Sequence, residues 1–345
     1  MGFFERPDPR LAQSADPTPV GAFGHALRRH AIAFAICVAA LLLAYSLNLA
    51  AGLHDTATTR GRIVARGLRA EVTIVRDRRD IPHIRARNEH DLYFAEGYVQ
   101  GSDRLFQLDL TRRYAYGRLA EILGAKALVY DRMQRAVDIG AVAVRQLRAM
   151  LPRDRAALAA FSDGVNAASG AQPLPIEFRI LLYRPEPWTP KDSLAVSLVA
   201  SLELADPWHA VFARDAVWRH RGAGCFAAAF PLSDARYDVT IEGRRDGGGA
   251  RAAPRDCDFS TLAMRTRHRA IGSNAWAAGA ALSSDGRALL ANDPHLDLTI
   301  PGIWYLVDLQ SPQVHVAGAT IPGMPGVVLG HNESLAWAST NGEMT

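Results

Sequence analysis

The sequence predicts an α+β chain, helical through its first two-thirds and built of short strands in its last third. Three observations carry this. An uncharged apolar run fills Ala31–Ala51, apolar residues recur at helical spacing from Asn88 to about Arg219, and the period shortens to that of strands after Ser273. A polar, glycine-rich stretch over 231–272 separates the two regimes.

Residues 1–30 read as a disordered cytoplasmic tail, rich in Pro, Asp and Ser. The apolar segment, taken as 31–53, is long enough to span a bilayer at ~1.5 Å per residue. Arg28, Arg29 and His30 before it place the N-terminus inside and the rest of the chain outside the cytoplasm, in a periplasmic setting. Arg60, Arg62, Arg66 and Arg69 on the far side oppose that orientation. A signal segment cleaved on secretion and a buried soluble helix are the competing readings.

After a polar connector, Glu71–Arg76 and Ile81–Ala86 alternate as a pair of strands around a turn at 77–80, with Pro82 marking an edge. Leu92, Ala95, Val99, Leu105, Leu108 and Leu119 then follow helical spacing. Further helix runs to about Phe161, interrupted at Pro152. Pro173, Pro175, Pro185, Pro187 and Pro190 predict a rigid extended crossing. Asp192 is the expected N-cap of a helix to about Leu204, and helical pattern resumes over 210–219. Residues 70–230 thus form the helical portion, 231–272 a flexible linker, and 273–345 the β portion. Its expected strands are 273–278, 289–291, 304–309, 314–317, 326–329 and 335–338.

Composition narrows the function. The chain has 345 residues, 49% hydrophobic and 21% charged, which is globular. The net charge of +4 is carried almost wholly by arginines scattered among acids, with Lys126 and Lys191 the only lysines. No aromatic-interleaved basic stripe occurs, so nucleic acid is excluded as an expected partner. Cys225 and Cys257 form either one disulfide or two free thiols; Cys37 lies in the apolar run.

A serine hydroxyl needs a base to become a nucleophile. No G-x-S-x-G elbow is present. A serine at a chain terminus has another base, its own α-amine, whose ordinary pKa is about 8. Ser273 follows Gly272, whose carbonyl is uncrowded, so attack of Ser273 on that carbonyl followed by ester hydrolysis would expose such a terminus.

Blocks in order strengthen this reading. They are Asp80-Ile81-Pro82-His83-Ile84, the run from Asp91 to Tyr98, the run from Asp103 to Leu110 with Arg112-Arg113 and Gly117–Glu121, and Leu174–Phe178 with Pro187–Pro190. Gly272–Trp276, Asn292–Leu296, and Gly330-His331-Asn332 with Ala336-Trp337 and Thr340-Asn341 follow. Together they resemble the penicillin acylase (penicillin amidase) family of N-terminal-nucleophile hydrolases, over Leu68–Thr345. The resemblance implies an αββα sandwich and hydrolysis of carbon–nitrogen bonds in linear amides. It implies Ser273 as nucleophile, self-cleavage between Gly272 and Ser273, and α and β pieces of one precursor that associate after the cut. His295 matches a position beside the nucleophile that is histidine in cephalosporin and acyl-homoserine-lactone types. Asn341 matches an oxyanion-hole residue acting through its backbone N–H. The partner implied is a small acyl-amide substrate, whether a β-lactam side-chain amide, an acyl-homoserine lactone or another acylated amine. No cofactor is implied for the chemistry; a structural calcium is allowed, most of its expected ligands lying beyond this sequence. The family pattern also continues beyond Thr345, so the chain is expected to be an incomplete form of the fold.

Other residues have blander expectations. His331 satisfies loop carbonyls, His83 packs at a strand end, Asp103–Arg104 is a buried ion pair, and the tryptophans form core or pocket wall. Asp293 and Asp297 flank His295 without a third metal ligand. Two rival functions remain open: a membrane-anchored, inactive remnant, and a serine hydrolase with an internal nucleophile that needs no processing.

Overall fold

The computed structural model describes residues 19–204, 207–230, 257 and 272–340. The chain divides into two compact units, Met1–Thr56 with Pro173–Tyr183, and Ala57–Gln172 with Arg184–Thr345. The first unit holds helix α1 (Pro19–His54) and a short helix near residue 178. Within Leu27–His54 an 18-residue window reaches a mean hydropathy of 2.3, and the helix is long and apolar enough to cross a membrane. Arg179 ties the short helix to Asp55 and to the Asn48 carbonyl, and Tyr45 donates to the Ile180 carbonyl.

In the second unit, β1 (Thr73–Arg76) and β2 (Pro82–Arg85) pair antiparallel, with Asp80 at φ 62° in the turn. Helix α2 (Glu89–Ala115) follows, capped by Asn88, whose side-chain oxygen accepts from the Asp91 N–H. The Asp91 carboxylate in turn accepts the N–H groups of Arg69 and Ala70 at 2.9 Å each, so the end of the connector is pinned to α2. Helices α3 (Ala120–Leu123), α4 (Leu128–Val137), α5 (Ile139–Ala149) and α6 (Pro152–Ala171) come next. Pro152 begins α6 rather than interrupting a helix, because the first turn needs no N–H from it. Helices α2 and α6 touch backbone to backbone. A Cβ on Gly97 would lie 2.0 Å from the Phe161 carbonyl oxygen, and one on Gly164 1.9 Å from that of Phe94.

The proline-rich crossing contains a turn of helix, α7 (Ile176–Ile180), because Pro175 precedes the helix instead of lying inside it. Helix α8 (Pro190–Leu204) starts two residues before Asp192. Thr189 occupies the cap position, and the Asp192 carboxylate reaches back to its N–H and hydroxyl, as an acid in the first turn does in a capping box. Helix α9 (Pro207–Ala229) is broken at Gly222. Cys225 and Cys257 are bonded, with Cα atoms 5.5 Å apart. The rest of the expected linker up to Ile271 lies outside the described residues.

The β portion comprises β3 (Gly272–Ala278), β4 (Leu289–His295), β5 (Tyr305–Gln310), β6 (His315–Thr320), β7 (Leu329–His331) and β8 (Ala336–Trp337). Strands β3 and β4 form a hairpin of their own; the others join one sheet in the order β1-β2-β5-β6-β7-β8. Strand β2 is therefore internal, not an edge. Pro82 is tolerated because it is the first residue, where a ladder N–H is dispensable. The parallel β2–β5 pairing joins segments from before and after Ser273, with His83 opposite Asp308. Ile84, Leu92, Ala95, Val99, Tyr305, Val307 and Leu309 make one core between α2 and this sheet. Asp103 and Arg104 do not pair with each other, since successive helical residues face different directions. Asp103 takes Arg76 and the Tyr305 hydroxyl, while Arg104 reaches Gln107 and the Gly302 carbonyl. His83 sits half-exposed on the sheet, 2.7 Å from the Asp308 carboxylate.

Candidate active site

Ser273 is the second residue of β3, and its hydroxyl donates to the carbonyl oxygen of Gly272 at 2.7 Å. A hydroxyl so placed is already beside the carbon it would attack. The hairpin register sets the surroundings: Gly272 pairs with His295, Ser273 with Pro294, and Asn274 with Asp293. Because side chains alternate across a strand, His295, Asp293 and Asn274 share one face, and the Ser273 hydroxyl leaves from the other. The expected partners Ser273 and His295 are thus brought onto adjacent strands, but His295 faces Gly272. Its Nδ1 would lie 3.4 Å from a Cβ placed there. On the other side of the ring, Nε2 is 3.1 Å from Asp293 Oδ2 and 3.4 Å from the Asn274 amide.

Asn292 anchors the hairpin. Its Nδ2 donates to the Asn274 carbonyl at 2.9 Å and the Ser339 carbonyl at 3.2 Å, and its Oδ1 accepts the Ser339 N–H at 3.1 Å. This brings the segment after β8 to the hairpin. Asn341, the expected oxyanion-hole residue, lies outside the described residues. Trp276 is not core: 56% of its surface is exposed on the hairpin. Trp188 is buried and Trp304 lines a cavity. His331 Nδ1 lies 3.3 Å from the Asn332 carbonyl, within its own turn.

That cavity, about 480 Å³, opens beside the end of β4. Leu296 and Asp297, directly after His295, form part of its wall, with Leu110 of α2, Val196 of α8 and Trp304 opposite. Its polar lining includes Tyr114 and Glu203. The Tyr114 hydroxyl donates to Glu203, and burial together with that carboxylate pushes the phenol up to about 12. Ile321 and Pro322 close another side. They begin a loop clamped by α2: Gln100 accepts the Gly323 N–H, and the Glu96 carboxyl group accepts that of Gly326. Glu96 is wholly buried, and desolvation raises its pKa to about 8.

The sequence nominated Ser273, Gly272 and His295 and gave no role of their own to Asn292, Asn274 or Glu96, which the structure brings to the hairpin and the cavity loop. The signal for Asn292 was present in its spacing from His295 within the Asn292–Leu296 block; Glu96 gives no local sign, because its burial depends on a loop far along the chain. Among the described residues no three His, Cys, Asp or Glu side chains converge on one point.

A family profile described as penicillin amidase matches residues 71–345. Penicillin acylase 2 proenzyme of Pseudomonas sp. (strain SE83) is 36% identical over 307 residues, covering 82% of this chain and 38% of its own length. Acyl-homoserine lactone acylase QuiP of Pseudomonas aeruginosa PAO1 is 34% identical, covering 82% of this chain and 34% of its own. A solved structure titled thermostable penicillin G acylase from Alcaligenes faecalis aligns with a TM-score of 0.44 at 26% identity, over 50% of this chain and 98% of that chain. The chain spans between a third and two fifths of the length of these two curated relatives.

Proposed function

The chain belongs to the penicillin amidase family, and on that premise we propose that it carries the nucleophile of an amide hydrolase that first cuts its own Gly272–Ser273 bond. The observation that carries the reading is the 2.7 Å contact of the Ser273 hydroxyl with the Gly272 carbonyl. Attack there moves the acyl group from nitrogen to oxygen, and water then frees Ser273 as an N-terminus. Its amine, with an ordinary pKa of about 8, becomes the base for the next attack.

The substrate is a linear acyl-amine. Ser273 Oγ attacks the amide carbon, the amine half leaves, and water releases the acid. The cavity beside β4 supports an acyl group that is largely apolar, since Leu110, Val196, Leu296 and Trp304 line it. The names of the relatives favour a penicillin or an acyl-homoserine lactone as the molecule that carries it. After the cut the two pieces stay together, because β1 and β2 lie in one sheet with β5–β8. The αββα sandwich is the architecture this reading requires of the whole enzyme, with Asn341 near Ser273 as an oxyanion donor. Helix α1 serves as a membrane anchor holding the rest outside the cytoplasm; a signal segment removed on secretion is the variant of this reading.

Mass spectrometry of the purified protein tests the mechanism. The expected result is a new N-terminus at Ser273, an intact chain for Ser273→Ala, and release of acid from penicillin G or an acyl-homoserine lactone by the cut form alone. Turnover by a chain whose Gly272–Ser273 bond is whole would refute the N-terminal mechanism in favour of an internal serine. A cut-free chain without turnover supports the inactive, membrane-anchored reading.

A further inference from the structure

We propose that Asp293 is a positioning residue that fixes the His295 imidazole as its Nε2–H tautomer and so turns the Nδ1 lone pair towards Gly272. The inference rests on the reading that Ser273 cuts the chain before itself. A carboxylate only accepts hydrogen bonds, so the 3.1 Å contact of Asp293 Oδ2 with Nε2 places the proton on Nε2. The Asn274 amide at 3.4 Å meets the same nitrogen. The group that meets it is the Asn274 Nδ2, and an Nε2–H requires that amide to turn by a half-turn and present its oxygen, so the Asp293 contact alone carries the assignment. The other nitrogen is left bare. It lies over Gly272, close enough that a Cβ on that residue would stand 3.4 Å from it.

The pleat decides how the lone pair is used. Ser273 projects with Pro294 from one face of the hairpin, and His295 with Asp293 and Asn274 from the other. The proton released as Oγ bonds to the Gly272 carbonyl carbon therefore reaches Nδ1 by way of solvent and not by direct contact. As the carbon–nitrogen bond breaks, the same proton passes from Nδ1 to the Ser273 nitrogen. Water then hydrolyses the ester, leaving a Gly272 carboxylate and a Ser273 with free amine and hydroxyl. Asp293 touches none of the reacting atoms; it acts by holding the ring.

The test separates tautomer from cutting. In the full chain carrying Ser273→Ala, which stays whole, ¹⁵N resonances of labelled histidine report the His295 tautomer. Nε2–H is expected, and adding Asp293→Asn should mix the two forms because an amide can donate as well as accept. In the chain with Ser273 present, Asp293→Asn should slow appearance of the new N-terminus about tenfold, and Asp293→Glu should restore much of the rate. A predominant Nδ1–H form in the Ser273→Ala chain would overturn the proposal, as would Asp293→Asn cutting at the parental rate. If the parental chain never cuts, the N-terminal-serine reading falls and takes the proton route with it, while the tautomer measurement still decides whether Asp293 positions the ring.

Discussion

Replacing Glu96 by glutamine tests how the loop beside the cavity is held. Burial raises the Glu96 carboxyl group from 4.5 to about 8, against the opposing effect of the Gly326 N–H and the Gln100 amide. A group that keeps its proton in the fold and loses it in the unfolded chain makes unfolding release a proton. Its stabilising contribution is therefore complete below pH 4.5 and lost as pH rises towards 8. With ~1.4 kcal/mol for each pKa unit, the linkage ceiling is ~5 kcal/mol, and ~3 kcal/mol of it falls between pH 5 and 7.5. The glutamine side chain would be neutral at both pH values and would still offer an oxygen to the Gly326 N–H. Any hydrogen bond lost in the exchange is lost equally at both. Urea unfolding of the full chain and of Glu96→Gln at pH 5 and pH 7.5 should thus show the stability difference moving by about 3 kcal/mol in the variant's favour at the higher pH. A difference that is the same at both pH values would contradict this account, because it would mean that Glu96 ionises at an ordinary pH inside the fold.

Three further outcomes follow from the packing around the site. Gly97→Ala puts a methyl group into the Phe161 backbone and should cost about 3 kcal/mol or more in denaturant unfolding, with Gly164→Ala similar. Asn292→Ala removes three hydrogen bonds to Asn274 and Ser339 and should cost about 1–3 kcal/mol while slowing cleavage before Ser273, measured by mass spectrometry over time. Ala200→Phe fills part of the cavity and should raise KM for long acyl chains while sparing short ones, read from initial rates across a chain-length series.

The elements that local spacing can encode are legible in the order of residues alone. The apolar helix, the hairpin of β1 and β2, the long helix opened by Asn88 and the short strands after Ser273 all follow from periods of 3.6 or 2, which neighbouring residues set among themselves. Their bounds differ by a few residues, as at Asp192, where the cap belongs to Thr189 because the acid serves from inside the first turn. Ser273, Gly272 and His295 are legible as positions in an ordered set of blocks.

Relations across the chain are not legible in this way. Strand β2 is internal only because β5 pairs with it in parallel, bringing together His83 and Asp308, 225 residues apart. Nothing in the neighbouring residues marks Glu96 for burial; the loop ending at Gly326 closes over it. Asp103 and Arg104 read as a pair until the helix turns them to different partners. The same division runs through the site. That a serine, a glycine and a histidine are the candidates is written in the chain, through their identities and their order. That His295 stands against Gly272, and not against the Ser273 hydroxyl, is a property of the folded hairpin. The reason is the pairing register: a shift of one residue between β3 and β4 would exchange the two faces of the hairpin, and no local pattern in either strand selects between them.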